Sequence, residues 1–298
     1  MAPTVYLIDA SIYIFRAYFS IPDEWHSSEG RSVNVLYGYT QFLLKFLQAA
    51  RPEHLAIAYD ESLGACFRNE IYPGYKASRA LPDAELAFQL SACKQLTERM
   101  GIASLASERY EADDIIATLA STAQQQGLPL AVVSRDKDLG QLIKKKADYL
   151  WDFASNQRIY QQDFFAHFAV RPDQMVDYLA LVGDSADDIP GVPGVGKKTA
   201  ASLLQMFDSV ENLYVNLDAV AVSKLRGAKG IAQKLADHRE QVGMAQDLVR
   251  LEDKVPVGSF EQLRWQPPAR LEIEAFLEQY GLAKAFNRQL THCYWWQE

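Results

Sequence analysis

Nine acidic residues stand where chemistry could be done with them. Asp9, Asp60 and the pair Asp136 and Asp138 each follow a short apolar run, Glu111, Asp113 and Asp114 precede an apolar-periodic one, and Asp184 and Asp187 lie in the sequence GDSADD. Acids before a helix also cap it and answer its dipole, and an acidic loop can be mere solvated surface. Gathered at one place, however, nine carboxylates repel one another unless cations hold them. No His or Cys lies among them, so zinc does not suit the set, whereas all-oxygen ligation suits Mg²⁺ or Mn²⁺. Two such ions about 3.5–4 Å apart activate a water and stabilise the leaving oxygen of a phosphodiester. The formal charge of −8, from 38 acids against 30 bases, speaks against nucleic acid only if the acids are dispersed. Setting the nine aside turns it to +1.

Secondary structure must bring these acids together. Residues 5–8, 55–59, 130–133 and 149–151 read as buried strands, and 35–49, 84–100 and 115–126 as helices, the last two stopped by Gly101 and Gly127. The alternation predicts an α/β fold with a central, mostly parallel sheet. In such sheets ligands bind outside the carboxyl ends of the strands, which is where Asp9, Asp60, Asp136 and Asp138 fall. Past about residue 170 helical signals dominate, so the chain divides into a core at 1–170, a helical region at 171–258 and a tail at 259–298. The tail's amphipathic helix at 270–280 and its finish Tyr294-Trp295-Trp296 read as packing back on the core.

Length and composition agree with this: 298 residues, 49% hydrophobic and 23% charged, make a globular chain. No run reaches the roughly 18–20 apolar residues of a membrane helix, and the first ten residues lack the pattern of a signal peptide. Cys66, Cys93 and Cys293 have no metal-ligand spacing and read as free thiols. A cytoplasmic monomer without membrane contact is expected.

Two further segments carry positive charge. GACFRNEIYPGYKASRALP, residues 64–82, mixes bases and aromatics with the breakers Pro73, Gly74 and Pro82 and reads as an exposed excursion, or as a plain solvated loop. IPGVPGVGKKTAASLL, residues 189–204, comes near a nucleotide phosphate loop, but Lys198 stands where Ser or Thr is required and a helix precedes it, so no nucleotide cofactor is expected. It reads instead as a helix hairpin: Gly191, Gly194 and Gly196 let backbone amides approach a phosphate at the start of the next helix, with Lys197 and Lys198 adding charge. Such contacts position a duplex without reading its bases. Lys224, Arg226, Lys229 and Lys234 supply more bases nearby, or simply a solvated basic face.

At this point IDASIYIFRAY, YDESLGACFRNEIYPGYKASR, YEADDIIATLA, SRDKDLGQLI and LVGDSADDIPGVPGVGKKTA resemble the 5′-nuclease domain of bacterial DNA polymerase I and the related flap endonucleases, from first strand to tail. The resemblance implies a PIN-like three-layer core, a helical arch at 64–100 and a helix-three-turn-helix that grips duplex DNA, in a stand-alone 5′-nuclease. It implies Asp9, Asp60, Glu111, Asp113 and Asp114 around one metal, and Asp136, Asp138, Asp184 and Asp187 around a second. It also implies Lys76 and Arg79 at the scissile phosphate, Tyr75 stacking an unpaired base, and Arg68 and Arg16 near the phosphate. Gly191, Gly194, Gly196, Lys198 and Thr199 match the hairpin, whose carbonyls in this family often hold K⁺.

The expected activity is two-metal hydrolysis of DNA at a single-strand to double-strand junction, on substrates with a 5′ flap or 5′ end, in replication or repair. This sequence departs from the family pattern at Ala10 and Ile12, where Gly and Ser are common, at Arg135 for Gly, and at Asp188 for Asn. The rivals are a structure-specific DNA-binding protein that does not cut, a PIN-type ribonuclease, and a two-metal phosphatase for small molecules, which would not need the basic excursion or the hairpin. A haloacid-dehalogenase phosphatase is excluded because Ser11 stands where it needs a second Asp.

Overall fold

Apolar runs with no polar alternation are satisfied only between two layers, and here they form the middle of one six-stranded sheet. The computed structural model describes residues 2–296. Its first half runs β1 (Val5–Asp9), α1 (Ala10–Ser20), α2 (Asn34–Ala50), β2 (His54–Asp60), α3 (Arg68–Ile71), α4 (Ala84–Arg99), β3 (Ala103–Ser107), α5 (Ala112–Gln125) and β4 (Leu130–Val133). It continues through β5 (Tyr149–Asp152), β6 (Gln157–Tyr160), α6 (Gln161–Phe168) and α7 (Met175–Val182). Helices alone follow: α8 (Lys197–Phe207), α9 (Val210–Val215), α10 (Leu217–Ala221), α11 (Ala228–Asp237), α12 (Arg239–Val249), α13 (Arg270–Gln279) and α14 (Ala283–Thr291). None of the described helices is long and apolar enough to cross a membrane.

The strand order is β3-β2-β1-β4-β5-β6, parallel throughout except for β6, which returns antiparallel to β5. Side chains alternate between two cores. Val5, Leu7, Ala58 and Val132 face α5, α7 and the helical region, while Ile8, Ile57 and Val133 face α1, α2, α4 and the tail. This is the expected three-layer α/β arrangement. The register positions the acids. Asp9 at the end of β1 lies beside Ala58 of β2, and Ile8 beside Val133 of β4, so the ends of three adjacent strands deliver their carboxylates to one edge.

Helix ends are fixed by local chemistry. Gly101 (φ +68°) closes α4 as a Schellman turn, with Ile102 N–H donating to Thr97 O and Gly101 N–H to Glu98 O, and a Cβ there would strike the carbonyl of Gln266. That contact brings in the tail. Trp265 donates its indole N–H to Met100 O at 2.9 Å, and Ile273, Phe276 and Leu277 of α13 join the core beside α4.

The structure departs from the sequence reading in several places. α1 is not among the expected helices, because its run IYIFRAYF is apolar on nearly every side. Strand β3, ASLAS, contains no β-branched or aromatic residue and is half-buried along its length, and β6, QRIY, is an edge strand with two exposed positions. Segment 64–100 is the single turn α3, a series of tight turns through Arg79, and α4 lying against α2, and its residues from Lys76 to Leu90 wall one side of the cavity that holds the acids.

Candidate active site

Asp9, Asp60, Glu111, Asp113, Asp136, Asp138 and Asp187 line one cavity of about 540 Å³ at the carboxyl edge of the sheet, with Lys76 and Arg79 on its rim. Asp9 also caps α1, accepting the Ser11 N–H at 3.0 Å, so the first helix points its positive end at the cavity. Ser134 donates to Asp9 at 3.3 Å and receives the Asp136 N–H at 3.1 Å, which ties the ends of β1 and β4 together. Among the described residues no three acids, His or Cys close around a point as a finished metal cage.

The electrostatics say what the cavity needs. Burial, and then the charge of Asp136, push the Asp9 carboxyl up to about 6. Burial with the charges of Asp136 and Asp9 pushes Asp113 well above the carboxylate range. Asp9, Asp113 and Asp136 thus oppose one another, and among the described residues none of them is in an ion pair. A hard divalent cation on oxygen ligands fits this need, and these three side chains, with Asp60, whose charge also acts on Asp9, would hold it.

The remaining acids are held by the protein's own cations. Glu111 accepts from the Lys76 ammonium and, at 2.8 Å, from the Tyr75 hydroxyl. Burial raises its pKa, but Lys76 and Arg68 outweigh that and hold the carboxylate below its ordinary value. Asp187 accepts from Arg79 at 2.5 Å and lies 3.7 Å from Lys76. Lys76 sits in the left-handed region (φ +52°) and donates its N–H to Asp187 O at 3.0 Å, while Ser78 N–H binds Asp188 Oδ2 at 2.8 Å. Asp188 is itself left-handed (φ +56°), a conformation that Asp tolerates nearly as well as the Asn it replaces. These bonds, all donated from one side, fix 75–79 on 184–188. Asp138 and Asp184 share the ammonium of Lys137, at 2.9 and 3.2 Å.

Four sequence expectations need correction. Asp114 is not open to a metal: it is fully buried, with both oxygens on the Arg68 guanidinium at 2.7 Å and on the backbone N–H groups of Glu111 and Glu252. Arg68 is not open to a phosphate, because its donors are spent on Asp114, Glu111, Leu248 O and Arg250 O. Tyr75 is 3% exposed with its hydroxyl on Glu111, so its ring offers no face to a base. Arg16 opens into a separate hollow of about 380 Å³ on the other face of α1, beside Lys45. Asp136 stands between the two expected groups, acting on Asp9 and Asp113 and on Asp138, whose N–H it accepts at 2.9 Å, while Asp187 lies beside Glu111 and Lys76. Arg135 leans toward Asp152 at 3.4 Å and does not crowd the cavity.

From Asp184 and Asp187 the chain enters the hairpin. Gly191 packs so closely on Val182 that a Cβ would lie 2.2 Å from its carbonyl oxygen, and its own carbonyl accepts from Gln241 at 2.8 Å. Gly196 starts α8 with no side-chain cap, and exposed Lys197 and Lys198 occupy the first turn, where acids are the favoured residues. An anion would satisfy both the open amides and the misplaced cations. Thr199 is half-buried behind them, and the Lys234 ammonium rests against the bend at Gly194.

Two features escape the sequence reading. Lys137 lies inside Asp-Lys-Asp, where a basic residue between two candidate ligands is a visible signal. The cavity's other wall is apolar, from Phe15, Tyr18 and Phe19 of α1 facing Leu81 and Pro82, with Phe19 80% and Leu81 72% exposed.

Comparison with known proteins adds relationship to geometry. The family described as 5′-3′ exonuclease, N-terminal resolvase-like domain, matches residues 4–169, and 5′-3′ exonuclease, C-terminal SAM fold, matches 170–271. DNA polymerase I of Bacillus caldotenax is 34% identical over 288 residues, 94% of this chain and 32% of that protein. DNA polymerase I of Bacillus subtilis is 33% identical over 289 residues, 95% and 32%. The chain therefore spans about a third of the length of these curated relatives. Among solved structures, T5 5′-exonuclease with bound zinc aligns with a TM-score of 0.69 at 16% identity, over 97% of this chain and 99% of that one. The catalytic core of Rad2 in complex with DNA substrate aligns at 0.66 and 16%, over 98% and 92%. At such identities the agreement is one of fold.

Proposed function

Because the chain belongs to the 5′-3′ exonuclease family, we propose that it is a divalent-metal-dependent 5′-nuclease that hydrolyses DNA phosphodiesters at single-strand to double-strand junctions, as a 5′-3′ exonuclease and flap endonuclease. One observation carries this reading: seven of the nine candidate carboxylates line a single cavity with Lys76 and Arg79 at one side and an apolar wall at the other. Two bound Mg²⁺ or Mn²⁺ ions would supply an activated water and charge stabilisation at the leaving oxygen. The chain's own residues do the rest. Lys76 and Arg79, paired with Glu111 and Asp187 at the cavity's rim, would stabilise the charge that develops on the scissile phosphate.

The hairpin at 189–199 holds the duplex by its backbone through open amides and Lys197 and Lys198, with K⁺ at the hairpin carbonyls part of the same proposal. Phe15, Tyr18 and Phe19 receive bases that unstack from the junction, the task Tyr75 is too enclosed to perform. The test is cleavage of a 5′-labelled flap duplex, with a matching single strand and blunt duplex beside it, in Mg²⁺, in EDTA, and with Asp136→Asn. Metal-dependent cutting near the junction that the variant loses supports the proposal. Tight flap binding with no cutting transfers the protein to the non-cleaving, junction-binding class.

A further inference from the structure

The two groups of acids are not electrically equivalent. Asp9, Asp113 and Asp136 have no ion-pair partner among the described residues, whereas Asp138 and Asp184 already share a cation, the Lys137 ammonium, 2.9 Å from one carboxylate and 3.2 Å from the other. An ion entering the first group relieves repulsion. One entering between Asp138 and Asp184 must first expel a positive charge from the same oxygens.

We propose that Lys137 is a built-in place-holder for the second divalent ion, so that this site fills by exchange of the ammonium and at a higher metal concentration than the first. The side chain is suited to the exchange. It is 34% exposed and flexible, so it can leave toward solvent without disturbing the core. Until then it keeps the two acids drawn together: Asp184 follows α7 and Asp138 follows β4, and Lys137 bridges elements that otherwise present like charge to each other. Lys137 thereby sets the order of loading and the free-ion concentration at which the site is complete. This inference rests on the metal-dependent reading above.

The experiment is Mn²⁺ binding to the DNA-free protein, by calorimetry and by loss of the free-ion paramagnetic resonance signal, for the unaltered chain, Lys137→Met and Lys137→Arg. Methionine keeps most of the stem without the charge, and arginine keeps the charge. The unaltered chain is expected to show two classes of site of unequal affinity. In Lys137→Met the weaker class tightens by about tenfold or more, on the scale of removing a unit charge a few Å from a divalent ion in a partly screened site. Lys137→Arg stays close to the unaltered chain. A weaker class that Lys137→Met leaves unmoved or loosens overturns the place-holder role while leaving metal dependence standing. Absence of Mn²⁺ binding in the unaltered chain overturns the metal-dependent reading itself, and this inference with it.

Discussion

The Arg68 guanidinium grips the Asp114 carboxylate through two 2.7 Å hydrogen bonds, with both side chains buried, and ties it to the carbonyls of Leu248 in α12 and of Arg250 just past its end. The pair joins α3, α5 and α12, and so fastens the helical region to the sheet. Removing one partner strands a buried charge, at a cost of about 3–5 kcal/mol. Asp114→Asn and Arg68→Ala are therefore expected to lower the unfolding free energy in urea by that amount while the DNA-free protein still binds divalent ions. An Asp114→Asn protein of unchanged stability that no longer binds metal would contradict this assignment.

Asp136 is placed differently, in the cavity and acting on both Asp9 and Asp113. Asp136→Asn should cut flap DNA slower by about 10²–10³-fold, the scale for removing one electrostatic stabiliser from an active site. Junction binding, measured by fluorescence anisotropy, should persist, because the hairpin is untouched. Cutting at the normal rate under saturating Mg²⁺ would remove Asp136 from the machinery.

What is readable in sequence follows from what each feature depends on. Asp9, Asp60 and Asp136 are legible because strand ends in a parallel sheet share an edge, a rule that needs only the strands. Asp114 misleads because its neighbours Glu111 and Asp113 do face the cavity, and only the helical turn of α5 carries the third acid inward to Arg68. Tyr75 and Arg16 mislead for a related reason: a side chain's type is visible in sequence, but its direction is set by packing partners far along the chain, such as Glu111 and Phe153. β3 is silent since Ala and Ser carry no strand preference, and its place is imposed by β2.

Proton binding links the cavity to stability. Burial, and then the charge of Asp136, raise Asp9 to about 6 and Asp138 to about 7, while in the unfolded chain such carboxyls titrate near about 4. Between those values the folded protein holds protons the unfolded one has released, so metal-free stability is present below the window and falls as pH rises through it. Glu111, shifted down, acts only below this range. In EDTA the melting temperature should fall between about pH 5 and pH 8, and Mg²⁺ should restore it most at the upper end. A metal-free melting temperature that rises over that interval would refute the shifts.

Lys197 and Lys198 stand exposed at the uncapped start of α8. For duplex DNA, every phosphate that a protein ceases to neutralise reduces the slope of log K against log salt by about 0.9. The double variant Lys197→Ala, Lys198→Ala is expected to bind duplex more weakly at low salt, with the slope reduced by up to about 2, and to cut at an unchanged position. An unaltered slope would place the duplex elsewhere.

Phe19 is largely open to solvent. Its ring is 80% exposed, meets Tyr18 edge-on at 5.1 Å, and lines the cavity that holds the acids. A solvated aromatic costs the fold nothing to remove, so Phe19→Ala should melt like the unaltered chain. If unstacked bases rest on this wall, the variant loses about 1–3 kcal/mol of affinity for each base displaced from it. The loss is specific to the substrate: a flap or single-stranded 5′ extension suffers it, and a blunt duplex, held by the hairpin alone, does not. Binding of the two DNAs at one salt concentration separates the outcomes. An equal loss on both would mean that Phe19 touches the duplex and not the unpaired strand, and no loss on either would return the task of holding the bases to another surface.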